Sequence, residues 1–468
     1  MHPLWTVAEA VAATGGRPEG LSDGPLSAVS IDSREIAPES LFLAIKGDTL
    51  DGHDYVEAAL KAGAAAALVS EAWLNANGGD RLIVVPDTLK ALQSLGRAAR
   101  ARSKALFVAV TGSAGKTTTK EAIRTVLNAA AETHYSIKSF NNHWGVPLML
   151  ARMPREAQFG VFEIGMNHPG EITPLTQMVR PHIAVVTTVA AAHLEFFKSV
   201  TEIAEAKAEI FLGLEEGGIV VLNTDHDYLH VLFARARELG IANVVTYGFD
   251  NEADWHIDPP ELAGAKTFAR IMHGPKAYDL NLQVRGRHMV ANATAALAVG
   301  SLADVDPYVA LRALAGFGAP EGRGETTRLG PTDNPLLLVD ESYNANVASM
   351  NAAMEVFASI VAPSGQKVLV LGDMLELGPQ GAELHQSLRN AVLGTGATKI
   401  FLVGKAIEPL ADALGEDRVA AKARRIEDLM EPILSSLALG DAVMVKGSKG
   451  VRLAALIGQI KQRFSAGP

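Results

Sequence analysis

Residues 108–127, VAVTGSAGKTTTKEAIRTVL, join an apolar run to a helical pattern through a short turn with two glycines and a Lys-Thr pair. A buried strand feeding directly into a helix commits the surrounding chain to α/β layers, because each element must cover the apolar face of the other. Gly112, Ser113, Ala114 and Gly115 let the backbone turn tightly enough for its N–H groups to converge on anionic oxygens. The helix beginning near Lys116 points its positive end at the same place. Lys116 adds a charge suited to β- and γ-phosphates, and Thr117 has a hydroxyl placed to meet a phosphate-bound Mg²⁺. The segment reads as a triphosphate-binding loop spanning Gly112 to Thr118. It departs from the general G-x-x-x-x-G-K-[ST] spacing, whose first glycine would fall at Val110; Gly112 stands two places later.

Further apolar runs alternate with helical patterns: VVLNT at 220–224, LLLVD at 336–340, VLVLGD at 368–373, IFLVG at 400–404 and AVMVKG at 442–447. Such alternation predicts parallel sheets flanked by helices. With 468 residues the chain exceeds one ordinary core. A helix from Leu89 to about Ser103 leads into the loop strand, and a Gly- and Pro-rich texture at 316–335 marks a second change. The expected division is a small α/β unit at 1–105, a central P-loop ATPase-like unit with a mostly parallel sheet at 106–322, and a Rossmann-like unit at 323–468.

Composition removes several function classes. There is no cysteine, which excludes disulfides, thiolate nucleophiles and Cys-ligated zinc. Lys plus Arg number 42 against 52 Asp plus Glu, a formal charge of −10 with no basic tract, so nucleic acid is not an expected partner. No apolar run approaches a membrane span and the start lacks a signal-peptide layout, which makes the cytoplasm the expected compartment.

A bound triphosphate needs a metal, and the metal needs oxygen or imidazole ligands from neighbouring strand ends. Glu163 closes the strand-like run in FGVFEIG, from which its carboxylate would project toward the phosphates. His193 and Glu195 follow another apolar run in VVTTVAAAHLEFF. Lys207, among Glu202, Glu205 and Glu209, has the spacing of a solvated helical salt-bridge partner.

A family resemblance emerges from the segments taken in order. SIDSR, SLFLAIKGDTLDGHDYVEAA, TGSAGKTTTKE, FNNHWGVPL, FEIGMNHPGEI, AAAHLEFF, AKAEIF, VRGRHMVANATAA, EGRGE, DESYNANVASM, VLGDMLELG and VKGSKGVR together resemble a Mur ligase. These are ATP-dependent amide-forming enzymes of cell-wall precursor synthesis. DESYNANVASM and LGDMLELG are similar to the dipeptide-adding branch. The Asp-Asn-Pro-Arg motif of the branch that adds diaminopimelate or lysine is absent.

The resemblance implies ATP and Mg²⁺ as cofactors, with UDP-MurNAc-tripeptide and D-alanyl-D-alanine as substrates of a monomer. Thr117 and Glu163 would hold one Mg²⁺ and His193 a second, with Lys207 a metal ligand once carbamylated. A bare ammonium there would repel the cations. His288 and Asn292 would lie near the adenine, and Arg323 would face the γ-phosphate. Asp340 and Tyr343 would meet ATP when the third unit closes. Asn344 and Asn346 are the candidates for the incoming dipeptide, Asn141 and Asn142 for the nucleotide-sugar from the central unit, and Ser33, Arg34 and Lys46 for its UDP end. Thr188, where family members commonly carry Asn, and Lys198, where Gly is frequent, depart from the pattern. A folylpolyglutamate-type ligase and a regulatory P-loop ATPase stand as alternatives; the separate SIDSR segment opposes the first, and the third-unit motifs oppose the second.

Overall fold

The computed structural model describes residues 3–47, 49–137 and 139–465. Three main sheets organise it. The first runs Ala28–Ser30, Ser40–Leu43, Ala66–Ser70 and Leu82–Val85 in parallel, with Arg17–Glu19 antiparallel at one edge.

In the second, the strand Leu106–Thr111 lies between Phe159–Glu163 and Ile183–Val186, all parallel. Residues 107–111 are buried, as expected of a parallel strand covered on both faces. The sheet continues through Thr133–Tyr135 on one side. On the other it passes through Ile219–Asn223, Val244–Gly248 and Trp255–Ile257. Beyond that it turns antiparallel through Lys266–His273 and Lys276–Leu282, an extension the sequence reading did not anticipate.

The third sheet is parallel through Leu336–Glu341, Ala442–Lys446, Lys367–Gly372, Lys399–Val403 and Val419–Ala423, with Glu325–Leu329 antiparallel at its edge. Every strand expected from an apolar run is present within one residue of its expected ends.

The connecting helix Thr88–Arg102 packs against the helix Gly145–Ala151, and one apolar core runs from Leu68 and Ile83 of the first sheet through Leu92 and Leu95 to Phe107 and Val146. Gly96 permits the approach, because a Cβ there would stand 3.1 Å from Pro147 Cα. Buried Arg100 fixes the same helix by donating to Val179 O at 2.7 Å and to Arg180 O and Glu215 Oε1 at 2.8 Å. The first two sheets therefore share a single hydrophobic body. The third sheet has cores of its own on its two faces.

Candidate active site

The loop helix Lys116–Asn128 begins after Gly115, whose φ of 81° is left-handed, and no side chain caps it. Its first N–H groups are thus left for a ligand. The turn is braced from the next strand: Ser113 N–H donates to Thr188 O at 2.7 Å, Ser113 Oγ donates to Ala190 O at 3.0 Å, and Thr187 Oγ1 donates to Ala114 O at 2.5 Å. Gly112 has φ 150°, and a Cβ on it would collide with Thr187 Oγ1. Thr188, one of the two departures from the family pattern, thus supports the loop through its carbonyl.

Around this loop lies a cleft of about 730 Å³ between the central sheet and the third. Thr117 Oγ1 donates to Glu163 Oε2 at 2.7 Å, and Asn141 Nδ2 donates to Glu163 Oε1 at 2.7 Å. Both carboxylate oxygens of a buried Glu163 are thereby fixed at the strand end. Lys116 donates to Gly112 O at 2.7 Å. Its pKa is lowered, chiefly by burial; the Glu163 charge opposes that shift and Arg323 reinforces it.

Lys207 corrects the solvated salt-bridge expectation. It is 2 % exposed in the helix Val200–Ala208, and its ammonium has no hydrogen bond or ion pair among the described residues. Two of the surrounding glutamates bond elsewhere: Glu202 accepts from Lys198 N–H, and Glu209 accepts from Gly170 and Thr173 N–H. Burial, with Lys116 nearby, holds the Lys207 pKa well below its usual value.

The third unit reaches the loop directly. Asn346 Nδ2 donates to Ser113 O at 3.1 Å. Tyr343 OH meets Ser139 Oγ, and the Tyr343 ring lies 4.2 Å beneath the Arg323 guanidinium. His193, at φ 58°, has Nδ1 2.5 Å from Glu376 Oε2, and the carboxyl of Glu376 is held below its usual range, first by that hydrogen bond. At the far end of the cleft, the Arg287 guanidinium stacks 4.1 Å over Phe249, beside Asp225, His288, Ala291 and Asn292. Asn292 accepts from Thr119 Oγ1 at 3.0 Å, and burial lowers the pKa of His288.

The cleft therefore brings together Ser113, Ala114, Gly115, Lys116, Thr118, Asn141, Glu163, His193, His288, Asn292, Arg323, Tyr343, Asn344 and Asn346. Five expected residues are placed otherwise. Asp340 is buried and turned inward, accepting from Ser342 N–H at 3.0 Å and Ser342 Oγ at 2.6 Å. Asn142 accepts from Gly145 N–H at 2.9 Å, which is turn chemistry. Arg34 is exposed and bonded to Asp32, and Lys46 is exposed, its backbone forming an isolated antiparallel β-bridge with that of Asp51. Ser33, Arg34 and Lys46 follow the carboxyl ends of first-sheet strands, outside this cleft.

The sequence reading assigned no role to Glu341, Glu376 or Lys446. Glu341 follows the Asp340 that the reading selected, and its carboxylate accepts from buried Lys446 Nζ at 3.1 Å. Strand alternation was the usable signal, since neighbouring side chains point to opposite faces.

The chain is similar to known proteins over most of its length. The model of the Mur ligase middle domain matches residues 110–300, that of the Mur ligase glutamate ligase domain 322–449, and that of the Mur ligase family catalytic domain 25–100. A Rickettsia prowazekii UDP-N-acetylmuramoyl-tripeptide--D-alanyl-D-alanine ligase is 33 % identical, covering 91 % of this chain and 93 % of its own. The chain belongs to the Mur ligase family. Among solved structures, MurF from Acinetobacter baumannii is 26 % identical to this Mur ligase with a TM-score of 0.84, covering 98 % of this chain and 99 % of its own. The Thermotoga maritima MurF ligase, solved in complex with ADP, is 25 % identical with a TM-score of 0.76, covering 93 % and 97 %.

Proposed function

We propose that this Mur ligase uses ATP to join D-alanyl-D-alanine to the terminal carboxylate of UDP-MurNAc-tripeptide, giving UDP-MurNAc-pentapeptide. The observation that carries this reading is the cleft itself: an uncapped loop helix faces third-unit residues across it, with Asn346 bonded to Ser113 O. The names of relatives aligned over more than nine-tenths of the chain specify the substrates. That coverage favours this reading over the regulatory-ATPase and folylpolyglutamate-type alternatives.

In the proposed sequence, a substrate carboxylate oxygen bonds to the γ-phosphorus of ATP as the bond to the β-bridging oxygen breaks and ADP leaves. The donor amine, having lost a proton, then attacks the acyl carbon. A C–N bond forms, the C–O bond to phosphate breaks, and phosphate departs. The loop amides from Gly112 to Thr118 orient the triphosphate, while Lys116 and Arg323 offset the charge on the transferring phosphoryl group. The fixed hydroxyl–carboxylate pair of Thr117 and Glu163 is a hard-oxygen donor set that fits Mg²⁺. Mg²⁺ there, with a second at His193 and carbamylated Lys207, would neutralise repulsion between the two reacting anions. The Arg287–Phe249 stack, with His288 and Asn292, suits the base of ATP. Tyr343 steadies Arg323, and Ser33, Arg34, Lys46 and Asn141 are the acceptor-side candidates. The reading divides the chain near 105 and 322 and makes it a cytoplasmic monomer; no helix among the described residues is long and apolar enough to cross a membrane.

Purified protein with ATP and Mg²⁺ is expected to release phosphate at full rate only when both UDP-MurNAc-tripeptide and D-alanyl-D-alanine are present. Full-rate phosphate release without the dipeptide overturns the reading.

A further inference from the structure

The segment LGDMLELG at 371–378 stands out in the sequence, yet the ligation chemistry above uses none of its residues. It follows the strand Lys367–Gly372 as a turn anchored in the third unit. Met374 and Leu377 are buried in that unit's core. Met374 N–H donates to His385 Nε2 at 2.9 Å, and Leu375 N–H donates to Ser448 Oγ at 3.0 Å. Between these anchors Glu376, at a left-handed φ of 62°, meets the central unit. Its Oε2 lies 2.5 Å from His193 Nδ1, and its carbonyl accepts from Glu195 N–H at 3.0 Å. Gly378 allows this approach, since a Cβ there would stand 3.1 Å from Glu195 Cα. His193 is also left-handed, at φ 58°. Non-glycine residues hold this conformation at a cost that the surrounding structure must offset, and here two of them face each other from different units.

A carboxylate on Nδ1 keeps a proton there, so Nε2 is the nitrogen available to a metal. Nε2 has no hydrogen-bond partner among the described residues, and His193 lines the main cleft. Ligating histidines take this form, with the second nitrogen tied to a carboxylate that sets the tautomer and the ring orientation. We propose that Glu376 is the positioning residue of the second cation site. It orients His193 through Nδ1–H, and because it belongs to the third unit, the site is complete only when that unit is seated on the central one. The proposal rests on the assignment of His193 as a Mg²⁺ ligand in the ligase reading above. The first site differs in this respect: Thr117, Glu163 and the Asn141 that fixes Glu163 all belong to the central unit. Cation binding at His193 and seating of the third unit therefore favour each other, since coupling between two binding events is reciprocal.

The test is Mn²⁺ binding to the full-length protein saturated with a non-hydrolysable ATP analogue, followed by the electron paramagnetic resonance signal of free Mn²⁺. Wild type, Glu376→Ala, Glu376→Gln, His193→Ala and the double variant Glu376→Ala/His193→Ala are compared. The Glu376 side chain is 41 % exposed, and Glu, Gln and Ala meet the same left-handed constraint, so the series compares side chains in one fold. Wild type is expected to bind two equivalents. Glu376→Ala is expected to weaken the second about tenfold to a hundredfold and to leave the first unchanged. Glu376→Gln, whose amide oxygen still accepts from Nδ1–H, is expected to recover part of the loss. In the His193→Ala background, Glu376→Ala is expected to add nothing. In ligation assays, Glu376→Ala is expected to raise the Mg²⁺ concentration for half-maximal rate by a similar factor, with kcat largely restored at saturating Mg²⁺. A second equivalent bound by Glu376→Ala as tightly as by wild type, or an equal loss in the His193→Ala background, overturns the positioning role. A second equivalent bound by His193→Ala as tightly as by wild type overturns the metal assignment of His193, and the positioning role falls with it.

Discussion

Lys207 shows how much one side chain depends on what packs around it. By spacing it is a helical salt-bridge residue; in the fold it is almost fully buried, with Lys116 as a charged neighbour and no carboxylate partner among the described residues. Burial and like charge both favour the neutral amine, which is the form that adds CO₂ to become the anionic carbamate proposed as a metal ligand. Lys207→Ala is expected to lose at least about a hundredfold in ligation rate, and added formate or acetate to restore part of it by returning a carboxylate to the vacated space. No recovery in the rate assay would assign Lys207 a packing role. Lys116, Thr117 and Glu163 were legible from the sequence because their chemistry is local to a strand end and a helix start. Asp340 was selected in place of its neighbour Glu341, which is the one that lines the cleft, because alternation says only that the two point to opposite faces and the packing of the sheet decides which face is the cleft's.

Among the elements, the phosphate loop is held by the strand beside it. The missing first glycine of the general motif coincides with Val110, which is fully buried, and the left-handed geometry shifts to Gly112 and Gly115. Gly112→Ala meets both a φ of 150° and the Thr187 hydroxyl. It is expected to lower the urea-unfolding free energy by about 1–3 kcal/mol and to abolish ligation; an unaltered unfolding midpoint would show that the loop relaxes without strain. The parallel strands were readable because strands buried on both faces are continuous apolar runs. Lys266–His273 instead alternates exposed and buried positions through Arg270, the period-2 pattern of a sheet with one open face. It was passed over because the search followed unbroken apolar runs.

Across the whole molecule, the first two sheets share one core while the third meets the phosphate loop through a few polar contacts. Asn346→Asp separates two roles of one residue. Asp still caps the helix Val347–Ser359, yet it cannot donate to Ser113 O. Thermal stability is expected to be nearly unchanged while kcat/KM falls about tenfold to a hundredfold, as a charge-bearing oxygen replaces a donor across the cleft. Retention of wild-type kcat/KM would show that this contact does not support the closed arrangement. The sequence by itself determined the α/β class, the parallel strands and the loop chemistry, because hydrophobic periodicity and helix-terminus geometry act over a few residues. Only the tertiary structure decided which distant groups converge on that loop. His193 meets Glu376, Ser139 meets Tyr343, and Ser113 meets Asn346 across 183 to 233 residues of chain, separations over which no local pattern constrains which side chains meet.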